Sequence, residues 1–259
     1  MDNQRKHRSL TTLPISRLFP NMFTIAGLCA GLSAIRFAMA GRWEIAVGLI
    51  VAAAIIDGMD GRLARLLKAT SNFGAQLDSL ADFISFGVAP AVVMHMWVLH
   101  EIKGLGWAIT LFFAVCTALR LARFNTSLIE DKKAPWQGQF FTGVPSPAGG
   151  LLCLLPLVLS LEGFDYDVTS TPAFCAVYIP IIAVLMASRI PTFSGKRSRI
   201  RHDMVLPVML LFGLFITAFM IEPWNTMAFC SMLYLLMIPV SVWRYRQLEK
   251  AHGTEAVEP

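Results

Sequence analysis

Asp57, Asp60, Asp78 and Asp82 fall within 26 residues of a chain that is 56% apolar and 15% charged. Carboxylates inside or beside long apolar runs are costly and mark a functional site by default. Four like charges also repel one another, so they need positive charge among them, and a divalent cation is the natural source. Oxygen ligands without neighbouring sulfur or imidazole suit magnesium, manganese or calcium better than zinc.

The spacing puts these acids on two helix faces. Asp57 and Asp60, three residues apart, share a face. Gly61 and Ala64 continue it with small residues that admit a bulky ligand or a neighbouring backbone. Arg65 stands eight residues past Asp57, about 12 Å along a helix. In the next segment Gly74, Asp78 and Asp82 recur every four residues and form one stripe. Two antiparallel helices joined by a short loop would bring both acidic faces together, with cations toward the interface, an arrangement suited to a phosphate ligand bridged by metal. A proton or ion pathway also explains intramembrane acids. It does not explain the accompanying Gly and Ala, or Arg62 and Arg65 beside them.

The positioning elements follow from hydropathy. Eight apolar segments, 22–40, 43–66, 76–100, 104–124, 143–162, 172–188, 203–221 and 224–243, predict an all-α integral membrane protein of about eight transmembrane helices. With a cytoplasmic amino terminus, 19 of the 22 Lys and Arg fall on the inner side, Arg42 and Lys103 fall outside, and Arg36 lies within the first span. The positive-inside rule therefore predicts a multi-pass protein of the cytoplasmic membrane, with both termini and the acidic site on the cytoplasmic side. The expected organisation is a basic segment at 1–20, one membrane catalytic domain at 21–246 and a polar, frayed tail at 247–259. The net charge of +5 is spread over juxtamembrane loops, which argues against nucleic acid as a partner. The five cysteines lie in apolar segments without a C-x-x-C pair and read as packing residues. His95 and His100 fall toward the outer end of the third segment and read as interfacial.

The pattern Asp57-x2-Asp60-Gly61-x2-Ala64-Arg65-x8-Gly74-x3-Asp78-x3-Asp82 resembles the signature of the CDP-alcohol phosphotransferase family at all eight fixed positions. The resemblance implies a six-helix membrane core, here followed by two C-terminal helices, and a homodimer. It implies two divalent ions, Mg2+ or Mn2+, on Asp57, Asp60, Asp78 and Asp82, with Asp82 also the general base. Gly61, Ala64, Arg65 and Gly74 would receive the CDP-lipid together with Asp57 and Asp78. The reaction implied joins an alcohol to a CDP-activated substrate by direct displacement and releases CMP.

Further stretches are similar to the phosphatidylserine synthase branch. They are Pro20-Asn21-Met22-Phe23-Thr24, Arg120 to Asn125, Phe141 to Gly149 and Ser188 to Lys196. This resemblance implies CDP-diacylglycerol and L-serine as substrates and adds Asn21 and Thr24 to the CDP-lipid set. Zwitterionic serine needs a cation for its carboxylate and acceptors for its ammonium. Arg120, Arg123, Asn125, Thr142, Ser146, Arg189 and Lys196 are the candidates. The rival readings are the same chemistry on glycerol-3-phosphate, inositol phosphate or choline, and an ion or proton transporter.

Overall fold

The computed structural model describes residues 19–66, 71–129, 140–162, 170–193 and 204–255. Helices dominate, as the apolar runs require: a backbone in hydrocarbon must satisfy its own hydrogen bonds. In chain order they are α1 (Phe19–Met39), α2 (Trp43–Leu66), α3 (Asn72–Asp82), a π-helical turn (Phe83–Val88), α4 (Ala89–Trp97), a 3-10 turn (Leu99–Ile102) and α5 (Lys103–Ile129). After the short strand β1 (Phe140–Thr142) come α6 (Ser146–Cys153), α7 (Leu155–Leu161) and α8 (Pro172–Ala187). Strand β2 (Pro191–Phe193), α9 (Val205–Ile221) and α10 (Pro223–Glu255) complete the fold.

Each apolar segment coincides with a helix or a broken helix, so the chain is an all-α multi-pass membrane protein. Among the described residues, four stretches are long and apolar enough to cross a bilayer: Phe19–Met39, Asn72–Trp97, Leu99–Thr126 and Pro223–Glu249. Pro172–Ala187 and Val205–Ile221 are apolar but shorter. A helix of 16 residues, the length of α8, rises about 24 Å against a hydrocarbon core of about 30 Å.

Several boundaries differ from the sequence expectation, each for a local reason. The third segment starts earlier, at Asn72, because the Ser71 hydroxyl accepts from the Gly74 N–H at 3.0 Å and caps the helix. The fifth segment is two helices meeting at Leu154, where Pro156 in the first turn of α7 suits a helix start. Helix α5 runs to Ile129, into the stretch expected as a loop from 125. Helix α10 continues to Glu255, so the tail expected to fray from 247 is helical over most of its length. Its residues Arg246-Gln247-Leu248-Glu249-Lys250-Ala251 are good helix formers.

The segments before α6 and after α8 pair as antiparallel strands, with Phe140 opposite Phe193, Phe141 opposite Thr192 and Thr142 opposite Pro191. Gly143, at φ +78°, follows β1 and turns the chain into α6, a conformation glycine adopts without a Cβ penalty. Its carbonyl accepts from Thr192 Oγ1 at 2.8 Å, so the two loops are tied by side chain as well as backbone.

The core lies where α1, α2, the π turn, α4, α5, α6 and α8 meet, around Ile50, Phe86, Met94, Phe113, Leu152, Ile179 and Met186, all fully or almost fully buried. Small residues set the helix separations. A Cβ on Gly31 would lie 2.8 Å from Ser85 Cα, and one on Gly150 would lie 3.1 Å from Phe86 Cα. The π turn is thus clamped between α1 and α6. Helix α9 buries none of its side chains and leans on α10, leaving an apolar face for lipid. None of the five cysteines forms a disulfide; Cys116, Cys153 and Cys175 are buried in helix packing.

Candidate metal and phosphate centre

The acidic site sits where the end of α2 meets the beginning of α3. One oxygen from each of Asp57, Asp60 and Asp78 can be chosen so that all three lie within 4.8 Å of one another. At that separation two unit charges repel by about 3.5 kcal/mol at an effective dielectric near 20, so the trio calls for a counter-cation. Asp82, one turn beyond Asp78, lines the same small pocket, and its carboxyl group approaches that of Asp57 within hydrogen-bond reach. Two carboxylates this close need a proton or a cation between them. An all-oxygen set of this kind fits a divalent ion of the magnesium or manganese type.

The pocket is walled by Thr24 and Gly27 of α1, Ala53 and Ile56 of α2, Ala81 of α3, and Ser85 and Phe86 of the π turn, and holds about 10 Å³. That is room for one water-sized occupant, so any nucleotide must lie over its mouth. Thr24 Oγ1 donates to Asp60 Oδ2 at 2.9 Å and stands 3.2 Å from the Pro20 carbonyl, which fixes the Asp60 side chain. Ser85 Oγ donates to the Gly27 carbonyl at 3.2 Å and locks α1 beneath the site. The π turn starts directly after Asp82, and such widened turns favour functional sites because they redirect side chains.

The other expected CDP-lipid residues lie on the same helices, α1, α2 and α3. A Cβ on Gly61 would meet no atom within 4 Å, so open space lies above it. At Gly74 a Cβ would approach Asn21 Oδ1 to 2.9 Å, which places the amino terminus of α1 beside that of α3. Ala64 and Arg65 lie in the last turns of α2, with side chains outside the described residues.

The expected acceptor residues separate into groups. Arg120, 9% exposed, lies within electrostatic reach of Asp82 and Asp57. One of its terminal nitrogens donates to the hydroxyl of the fully buried Ser146, its Nε has no partner, and its guanidinium stands 6.0 Å from the Phe124 ring centre. Arg120 and Ser146 are thus brought to the metal site together. Asn125 is engaged elsewhere: its Nδ2 donates to Ser79 Oγ at 3.0 Å, joining α5 to α3. Arg123 donates to the Ala187 carbonyl at 2.6 Å and closes the carboxyl end of α8. Thr142 and Arg189 are exposed on or beside the paired strands. Lys196 lies outside the described residues, as do Arg197, Arg199 and Arg201.

Sequence reading passed over Ser85, Thr192 and Tyr234. Tyr234 is a polar side chain within the apolar run of α10, and that was the available signal. His95 packs edge-on to Trp107 at 5.3 Å on α4 and α5, away from the aspartates.

The fold and the acidic helix pair define an integral membrane protein with an acidic group that could hold a divalent ion. The sequence profile of CDP-alcohol phosphatidyltransferases matches residues 17–188, and that of a second CDP-alcohol phosphatidyltransferase group matches residues 203–239. The chain belongs to the CDP-alcohol phosphatidyltransferase family. It is similar to the CDP-diacylglycerol–serine O-phosphatidyltransferase of Mycobacterium leprae, at 35% identity over 92% of this chain and 81% of that one. The enzymes of the same name match at 33% identity in Mycobacterium tuberculosis strain H37Rv, over 90% and 80% of the two chains. The Helicobacter pylori strain 26695 enzyme matches at 34%, over 85% and 88%.

Proposed function

We infer that this protein transfers the phosphatidyl group of CDP-diacylglycerol to the hydroxyl of L-serine, giving phosphatidylserine and CMP. The observation that carries the reading is similarity along nearly the whole chain to enzymes named for that reaction, in a family to which the chain belongs. The converged carboxylates of Asp57, Asp60 and Asp78 support the phosphoryl-transfer chemistry.

Two divalent ions, Mg2+ or Mn2+, would be held by Asp57, Asp60, Asp78 and Asp82. When bound they supply charge neutralisation on the diphosphate and on the departing CMP. The residues of the chain do the rest. Asn21, Thr24, Gly61, Ala64, Arg65 and Gly74 frame the mouth over which the cytidine diphosphate lies. Asp82 accepts the proton of the serine hydroxyl. The serine oxygen forms a bond to the phosphorus bearing diacylglycerol. The bond from that phosphorus to the bridging oxygen breaks, and CMP leaves with the electron pair. Arg120 and Ser146 offer the acceptor end its nearest cation and hydroxyl.

The distribution of Lys and Arg supports eight spans with both termini and the site facing the cytoplasm, and the family resemblance supports a homodimer. The test is CMP release from CDP-diacylglycerol by purified protein in detergent. Release should require a divalent ion, stop with chelator, return with Mg2+ or Mn2+, and prefer serine over glycerol-3-phosphate, inositol phosphate and choline. Preference for another alcohol would reassign the acceptor. Absence of release with every alcohol, despite metal, would leave the aspartates to ion transport.

A further inference from the structure

We propose that Tyr234, on α10, is a specificity-determining residue that contacts the carboxylate end of the acceptor together with Arg120. The assignment rests on the serine transferase reading above. It concerns a helix that lies beyond residues 17–188, in the stretch matched separately at 203–239.

Among the described residues, three buried side-chain polar atoms have no hydrogen-bond partner: His95 Nδ1, Arg120 Nε and the Tyr234 hydroxyl. Two of the three belong to side chains within electrostatic reach of each other. Leaving such groups unpaired costs about 1–3 kcal/mol each, so a neighbouring pair is more economically read as a site awaiting a ligand than as a packing defect. The pair faces the chemistry, since Arg120 also lies within electrostatic reach of Asp82 and Asp57. The neighbouring polar groups are already engaged. Thr192 Oγ1, beside Tyr234, donates to the Gly143 carbonyl, and Ser241 Oγ donates to the Pro191 carbonyl at 2.9 Å. Arg120 therefore keeps an uncommitted N–H, and the Tyr234 hydroxyl has beside it only Thr192, whose own proton is spent on Gly143.

Space adjoins Tyr234. A cavity of about 290 Å³ is lined by Tyr234, Thr192 and Ser241 with Leu233, Met237 and Ile238. The Tyr234 hydroxyl and Arg120 Nε can both act as donors, which suits an anionic oxygen pair. In serine that is the carboxylate, the feature that distinguishes it from an uncharged amino alcohol. A charged group left without one of its buried donors loses more than a neutral one would.

The experiment compares wild type with Tyr234→Phe, using L-serine and serinol, which lacks the carboxylate, as acceptors in the CMP-release assay. The variant keeps the ring and removes the oxygen. The assignment expects the KM for serine to rise about tenfold or more, with kcat and the KM for CDP-diacylglycerol within about twofold of wild type. The preference for serine over serinol should shrink by a similar factor, at an unchanged unfolding temperature. An unchanged KM for serine in the variant, or parallel rises for serine and serinol, would overturn it. So would loss of folded protein, because the hydroxyl would then be structural. Wild-type protein that released no CMP with serine would instead overturn the parent reading, and this assignment with it.

Discussion

At the scale of single residues, the four aspartates divide by position. Asp57, Asp60 and Asp78 converge, and Thr24 anchors Asp60 from a third helix. Asp82 stands one turn further along α3, next to Asp57 and within electrostatic reach of Arg120. On the proposed reading, with the acceptor beside Arg120, this placement suits Asp82 as the base. Asp82→Asn keeps the shape and removes the basic oxygen. Turnover should fall by at least about a hundredfold, the usual worth of a general base, while CDP-lipid binding survives within roughly tenfold. Single-turnover CMP release and a lipid-binding titration on the same preparation check this. Near-normal turnover would remove Asp82 from the base role.

At the scale of elements, close backbone approaches hold the site in place. The chain reverses between α4 and α5 through the 3-10 turn, where a Cβ on Gly106 would clash with the Leu99 carbonyl oxygen. That obstacle is backbone and cannot rotate away. Gly106→Ala should therefore destabilise the protein by several kcal/mol, read as a lower unfolding temperature and a poor yield of monodisperse protein in detergent. Gly61→Ala is the informative contrast. Its Cβ has open space, so the unfolding temperature should hold within about 2 °C. If the nucleotide lies over that surface, the KM for CDP-diacylglycerol should rise several-fold. A variant with unchanged kinetics would move the nucleotide away from α2.

At the scale of the whole molecule, the paired inner strands, the α2–α3 junction and the inner ends of α5 and α8 gather on one side of the fold. On the proposed topology that side faces the cytoplasm. Single cysteines in a cysteine-free background test the assignment. A cysteine at Arg42, exposed beyond α1, should react with a membrane-impermeant thiol reagent in intact cells. One at Arg246, exposed near the end of α10, should react only after the inner face is opened. The reverse pattern would place the active site outside.

The sequence by itself determined the chemistry and the membrane. Eight fixed positions at helical spacing specify which carboxylates share a face, because helix geometry is local, and hydropathy marks where helices run, because lipid leaves the backbone no alternative. Tertiary structure alone decided which polar groups are committed. Asn125 and Arg123 look as available as Arg120 in the sequence, yet they are engaged by Ser79 and by the end of α8. Arg120 is turned toward Ser146 and the aspartates, and Tyr234 is carried to it by a helix more than a hundred residues away. Such contacts depend on how helices cross, and crossing is set by small residues such as Gly31 and Gly150 meeting partners distant in the chain. The π turn after Asp82 was equally hidden, since it answers to packing against α1 and α6 and leaves apolar periodicity almost unchanged.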